Sequence, residues 1–165
     1  MHLKLQAANA GDIPELVAMR TRVNQEMVKR FGEGFWSGIP TESGERFLMT
    51  IAQVYLARYR ARLIAALALS KRKPWSIDVR HFRASARPLY LRAMAVDPAH
   101  QRRGVGRQCI EQAVRIAKEA GFDVIRLDAF DCPAGAGEFY RKCGFIEVAR
   151  VLYRGVPHID FELVL

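Results

Sequence analysis

The sequence predicts an α+β chain in α/β/α layers: a mixed, mostly antiparallel sheet of about seven strands with a central parallel pair, flanked by about four helices. Three observations carry this. Leu89–Val96 reads as a strand, a basic glycine turn follows at Gln101–Gly106, and a helix from about Val105 to Ala120 leads to another strand at Val124–Ala129. A strand–helix–strand crossover of that length implies parallel pairing. Val54–Arg60 and Leu63–Ser70 are apolar strands separated only by Ala61-Arg62, so they pair as an antiparallel hairpin. Phe145–Leu152 and His158–Leu165 form a second antiparallel pair around Arg154-Gly155-Val156-Pro157.

The elements follow in order. His2–Ala7 alternates Leu3 and Leu5 with polar neighbours, as a half-buried strand does. Asp12 is placed to cap a helix, with Glu15 completing a capping box and Pro14 in the first turn. Ile13, Leu16, Val17, Val23, Met27 and Val28 recur at helical spacing, and Gly32 is a natural stop. Arg20, Arg22, Asn24 and Glu26 lie around this helix as a polar face. Phe31–Pro40 combines aromatic rings with glycines. It reads either as a loop pinned by Phe35 and Trp36 or as a wall with glycine hinges. Thr41–Ala52 is a short helix with Phe47, Leu48 and Ile51 on one side. Lys71–Arg87 has no clear periodicity and reads as a surface excursion or a substrate-facing insert. The helix after the glycine turn places Val105, Cys109, Ile110, Ala113, Val114, Ala117 and Ala120 at 3–4 spacing, spanning roughly 24 Å before Gly121 ends it. Pro133–Cys143 is a last helix, weakened by Gly135 and Gly137.

The 165 residues suit one domain spanning 1–165. Half are hydrophobic and 26% charged, as in a globular protein. The longest apolar run, Leu63–Leu69, falls far short of the roughly 20 residues of a membrane span. The N-terminus has no apolar secretory segment. Cys109, Cys132 and Cys143 form no even framework and read as reduced thiols, so a cytoplasmic location is expected. His2, His81, His100 and His158 have no ligand spacing, so no structural metal is expected. Lys and Arg number 26 against 17 acidic residues, a net +9 that favours an anionic partner. The basic residues are spread along the chain rather than massed in a tail. This suits a phosphate-bearing small molecule better than nucleic acid.

The unit from Leu89 to Ala120 is a device for holding phosphate. Glycine lets the backbone bend and approach a ligand closely. The first helical turn offers free N–H groups and partial positive charge, and Arg102, Arg103 and Arg107 add formal charge there. The P-loop's Gly-Lys-Ser/Thr ending is absent. The dinucleotide pattern fails because Cys109 stands at its third glycine. Gln101-Arg102-Arg103-Gly104-Val105-Gly106, after the strand end Val96-Asp97-Pro98, resembles motif A of the GNAT superfamily of N-acetyltransferases. Phe139-Tyr140-Arg141-Lys142-Cys143-Gly144-Phe145 resembles the Phe-Tyr-x-x-x-Gly-Phe signature of the same superfamily. The resemblance extends over nearly the whole chain and implies the GNAT fold and acetyl-CoA as acyl donor. It also implies direct transfer of the acetyl group to a primary amine. A homodimer is an assembly the family makes plausible.

By that resemblance, backbone groups of Met94, Ala95 and Val96 pair with the pantetheine arm. The N–H groups from Arg102 through Arg103, Gly104, Val105 and Gly106 to Arg107 take the pyrophosphate. Gln101 begins the motif and orders the turn or touches the ligand. Tyr140 matches the family's general acid, and a phenol can donate to a forming thiolate. Some family members carry a glutamate on the central strand. Leu89–Val96 has no carboxylate, which leaves Glu26, Asp78, Asp128 and Asp131 as candidate bases. Pro133 stands where many members have asparagine, and Cys132 reads as structural. The acceptor is open; a small amine with a carboxylate, such as an amino acid, suits the basic chain. A non-catalytic acyl-CoA-binding module of the same fold is the alternative.

Overall fold

A computed structural model describes residues 3–165. The strands are β1 (Leu5–Ala7), β2 (Gln53–Tyr59), β3 (Arg62–Ser70), β4 (Pro88–Val96), β5 (Val124–Phe130), β6 (Ile146–Tyr153) and β7 (Val156–Val164). They form one seven-stranded sheet in the order β1-β2-β3-β4-β5-β7-β6. Only β4 and β5 are parallel among the described pairings, as the crossover through α3 (Val105–Glu119) requires. The start of the first strand at His2 lies outside the described residues.

The sheet carries helices on both faces. On one face α3 and α4 (Gly137–Lys142) cover a core that includes Leu89, Leu91, Ile125, Leu127, Ile159 and Phe161. On the other, α1 (Ile13–Phe31) and α2 (Glu42–Ile51) cover β2 and β3, with Leu16 and Met19 packed on Val54, Leu56, Leu63, Ala66 and Ala68. The segment from Lys71 to Arg87 continues this second layer over β4, where Ile77 and Phe82 bury against Tyr90.

Several local expectations shift. The capping box lies one turn earlier, between Asn9 and Asp12 on a 3-10 turn, and Asp12 makes no side-chain cap to α1. Glu15 is drawn away because Arg58 and the Leu63 N–H compete for its carboxylate. In α2 the buried residue is Glu45, while Phe47 is 63% exposed. Glu45 turns inward because Arg20, itself mostly covered, meets it at 2.8 Å. The β2–β3 turn is Arg60-Ala61, both at positive φ, a backbone twist that matches a two-residue hairpin. Helix α4 begins only at Gly137, because Pro133 and Gly135 leave a turn in which the Gly135 N–H donates to Cys132.

Two ties hold the middle of the sheet. Strand β4 bulges at Ala93, which has φ 49°, as its register against β3 shifts between Ala66 and Ala68. Arg20 of α1 donates to the Ala93 carbonyl at 2.7 Å and so pins the bulge. At the end of β4, Asp97 is 1% exposed. It accepts from Arg22 at 2.8 Å and from the Ala99 N–H at 3.1 Å, with Arg62 3.5 Å away. Burial alone would raise its pKa. The Arg22 bond, the Ala99 N–H and the charges of Arg22 and Arg62 outweigh burial and hold the carboxyl below its ordinary value.

Asp97→Ala should therefore cost about 2 kcal/mol through lost charge-assisted bonds and a lost turn cap. A folded pKa below the unfolded one contributes stability above the unfolded value, near 4. That stability is lost as pH falls through the folded pKa. Urea denaturation should find the gap between wild type and variant full at pH 7 and narrowing below about pH 4. A gap constant down to pH 2.5 would contradict this.

Candidate active site

The site follows from a short pairing. β4 and β5 pair in register only from Pro88 to Tyr90 against Val124 to Arg126. Both strands run on, to Val96 and Phe130, but apart. Beyond Tyr90, β4 has a ladder partner only in β3. Its other edge presents backbone N–H and C=O groups to the gap, and such groups seek partners. Met94, Ala95 and Val96 lie on this edge.

The N-terminus of α3 stands at the mouth of the gap. Arg102 has φ 58° and Gly104 φ 77°, a left-handed backbone that glycine adopts without strain. Gly104 supplies no side-chain cap, so the first N–H groups of the helix stay uncapped. Arg102, Arg103 and Arg107 are exposed around it, and Arg107 reaches Glu111 at 3.2 Å. Val105 is buried and anchors the helix start. Gln101 turns back to donate to the Val96 carbonyl at 3.0 Å, so its side chain orders the turn. A Cβ on Gly106 would lie 3.0 Å from the Phe139 ring and 3.5 Å from the Met94 methyl. Glycine is what lets α3, α4 and β4 meet here.

Tyr140 lies beside this junction, its ring edge-on to Phe139 and Phe145 and tilted to Phe161. It is 8% exposed, and its hydroxyl makes no hydrogen bond among the described residues. Burial first, then Cys143 and Asp128, push its pKa well above the ordinary phenol value. The hydroxyl therefore stays protonated and has a proton to donate. Cys109 is buried in α3, and burial pushes its thiol up to about 11. A thiol so protonated is a core residue rather than a nucleophile.

The opposite face of the gap carries a row of polar side chains. Strands β5 and β7 alternate apolar residues toward α3 with Arg126, Asp128, His158, Asp160 and Glu162 toward the other face. Phe130 pairs in register with His158, and Asp128 with Asp160. His158 Nδ1 lies 2.7 Å from Asp128 Oδ2, and His81 Nδ1 lies 3.2 Å from Asp160 Oδ2. Asp160 is fully buried. Burial, with Asp128 adding repulsion, raises its pKa against the opposing His81 bond. Arg126 donates to the Arg83 carbonyl at 2.6 Å and covers the Phe82 ring. Arg92 stands on β4 across from Asp128 and makes no hydrogen bond or ion pair among the described residues. Burial lowers its pKa, Asp128 opposes that, and nearby Arg72 adds to it. Phe35 closes the end of the row, 5.1 Å from Phe130 and 4.9 Å from Trp36. The aromatic loop thus reaches the rim of this groove, and Phe35 itself remains 45% exposed.

The candidate bases sort by position. Asp78 is held by Arg80, which keeps its carboxyl far below the usual range. Asp131 is paired with Arg150 at 3.2 Å. Glu26 lines a hollow with Arg22 and Lys29 on α1. Asp128 alone of the four stands on β5 beside the gap, with Arg92 near it on β4 and His158 bonded to it from β7, two residues that the sequence left unassigned. The alternation of polar and apolar residues along His158–Glu162 was a readable signal of a polar face. Its pairing with β5 was not. Arg20, Arg22 and Asn24 are structural, bonded to Ala93, Asp97 and the Gly38 carbonyl. No group of three or more potential metal ligands occurs among the described residues, and none of their helices is long and apolar enough to cross a membrane.

Comparison with known proteins gives a consistent picture. Residues 24–145 match the acetyltransferase (GNAT) family. A segment of 71 residues, 43% of the chain, is 32% identical to a rice (Oryza sativa subsp. japonica) protein described as a probable glucosamine 6-phosphate N-acetyltransferase. The match spans 41% of that relative's length. The ribosomal-protein-S18-alanine N-acetyltransferase of Escherichia coli superposes with a TM-score of 0.71 at 17% identity, over 98% of this chain and 93% of that one. A Salmonella typhimurium protein solved with its cofactor acetyl-CoA superposes at 0.67 with 14% identity, over 100% and 95%. At these identities the superpositions establish the fold.

Proposed function

This chain belongs to the acetyltransferase (GNAT) family, and from that premise we propose that residues 1–165 act as one acetyl-CoA-dependent N-acetyltransferase domain with a small primary amine as acceptor. The observation that carries this reading is the gap between β4 and β5. It has a helix N-terminus and a buried phenol on one side and a polar groove on the other. A binding module would need only the first side.

The residues present fit the donor. The uncapped N–H groups from Arg102 to Arg107, with Gly104 and Gly106 allowing close approach, suit a pyrophosphate. The free edge of Met94, Ala95 and Val96 suits the amides of a pantetheine arm, which would pair as an added strand. The acyl donor supplies an acetyl thioester at the gap. Gln101 keeps the turn in shape through Val96. Tyr140, protonated at every working pH, donates to the leaving sulfur. The acceptor enters the groove, where Arg92 is the unpaired cation. We assign it an anionic group on the acceptor, such as a carboxylate or a phosphate, a charge also present on the substrate named for the rice relative.

Thermal unfolding with acetyl-CoA should raise the melting temperature of the wild type through linkage. Gly104→Val should fold but lose most of that shift, because valine at φ 77° is strained and its side chain occupies the ligand's approach. An equal shift in both proteins would refute the pyrophosphate assignment.

Tyr140→Phe should lower kcat by about 10²-fold while leaving the acetyl-CoA shift intact. Unchanged kcat, with chemistry rate-limiting, would make Tyr140 a packing residue.

Thiol release from acetyl-CoA should be screened across amino acids, amino sugar phosphates and neutral amines. Arg92→Gln should raise KM at least about tenfold for the preferred anionic amine and spare its neutral analogue. Equal effects on both would remove Arg92 from recognition.

A further inference from the structure

We propose that His158, held by Asp128, is the base that takes the proton from the acceptor amine; this rests on the acetyl-transfer reading above. The amine nitrogen must lose a proton before it can attack, and β4 carries no carboxylate to take it. The 2.7 Å contact between His158 Nδ1 and Asp128 Oδ2 makes Nδ1 the protonated nitrogen, since a carboxylate only accepts. Nε2 is then left with its lone pair, and it makes no hydrogen bond among the described residues. The ring is fixed between Phe130, 5.2 Å away, and Tyr153, 6.3 Å away, and the side chain is 10% exposed. A base so oriented is positioned by its carboxylate partner.

Its place in the gap supports the role. Asp128 is two residues beyond Arg126, the last β5 residue paired with β4. Its charge is felt by Tyr140 on one side and by Arg92 on the other. The dyad therefore stands between the group that donates to the leaving sulfur and the cation assigned to the acceptor. The other titratable groups around His158 are Asp160 with its partner His81, Tyr153 from β6, and Arg92 across from Asp128.

The proton balance is simple. The acceptor arrives as an ammonium ion and gives one proton to His158 Nε2, which frees the nitrogen lone pair. Asp128 stabilises the imidazolium through Nδ1–H. The C–N bond forms as the C–S bond breaks, and Tyr140 gives its proton to the departing thiolate to make the free thiol. The acylated nitrogen loses its second proton to solvent, Tyr140 regains one from solvent, and the imidazolium returns its proton to solvent, so that one proton is released per turnover.

The test is the pH dependence of kcat/KM for wild type, His158→Gln and Asp128→Asn, with an amine the wild type acetylates. The wild type should rise with deprotonation of the base and level off or fall well before the amine itself titrates. His158→Gln should lose about 10²-fold near neutrality. Its profile should climb about tenfold per pH unit toward the amine's own pKa, because only amine already neutral in solution reacts. Asp128→Asn should lose about tenfold and show the same change of shape. Both should keep the wild-type acetyl-CoA thermal shift, which also shows that they fold; if His158→Gln does not fold, Asp128→Asn decides. A profile lowered equally at all pH values, or unchanged, overturns the proposal. Absence of transfer by the wild type to any amine, with the acetyl-CoA shift present, overturns it together with the transferase reading.

Discussion

The site depends on two parallel strands that start as neighbours and then separate. A parallel ladder that continued along β4 and β5 would satisfy both edges and leave nothing to bind. Pairing that stops at Tyr90 and Arg126 leaves one edge of β4 without a ladder partner. It also opens a passage between the two faces of the sheet. What ends the pairing is visible on β4. The bulge at Ala93 inserts a residue against β3 and turns the strand, and Arg20 holds the bulged carbonyl from α1. Arg20 is nearly out of solvent and relies on Glu45 of α2 to offset its desolvation. A helix-to-helix ion pair thus fixes the conformation of a strand it does not belong to.

The two sides of the passage are built by different physics. On the α3 side an apolar core supports a backbone site: glycines for approach, a helix terminus for charge, a phenol kept neutral by burial. On the other side the sheet carries ionisable groups that a sheet of this kind usually covers with apolar residues. Asp160 and Glu162 each have a buried oxygen without a partner, and Asp128 and Asp160 repel. Such groups lower stability unless paired. The segment from Lys71 to Arg87 offsets part of this cost, bringing His81 to Asp160 and the Arg83 carbonyl to Arg126. The covering segment, which the sequence leaves as a surface excursion or an insert, is therefore part of the support of this face.

Local chemistry was legible in the sequence; contacts across strands were not. The β4–turn–α3 unit, both hairpins and the parallel pairing of β4 with β5 could be read because strand periodicity, glycine position and crossover length are local signals; the place of β7 between β5 and β6 was not among them. The displaced capping box, the exposed Phe47 and the truncated α4 escaped. The first two depend on a competitor far along the chain, Arg58 for Glu15 and Arg20 for Glu45, whereas α4 is shortened locally, by the turn at Pro133–Gly135 that packs on the Phe130 carbonyl. His158 escaped for the same reason as the first two. As one of four scattered histidines it had no ligand spacing. Its partner Asp128 is 30 residues away and is brought to it only by the β5–β7 register.

In the proposed mechanism that register also lets one proton-accepting and one proton-donating group serve the same bond without quenching each other. Tyr140 comes from the helix layer and the dyad from the opposite face, so the sheet stands between them except where β4 and β5 have parted. They share Asp128 only through its field, which adds a small part to the rise in the Tyr140 pKa that burial chiefly causes. The same carboxylate holds His158 in the tautomer that leaves Nε2 as an acceptor. In the proposed mechanism burial keeps the phenol protonated, while the charge at the split orients the imidazole. The strand separation that frees the β4 edge is also what lets that charge reach both sides of the sheet.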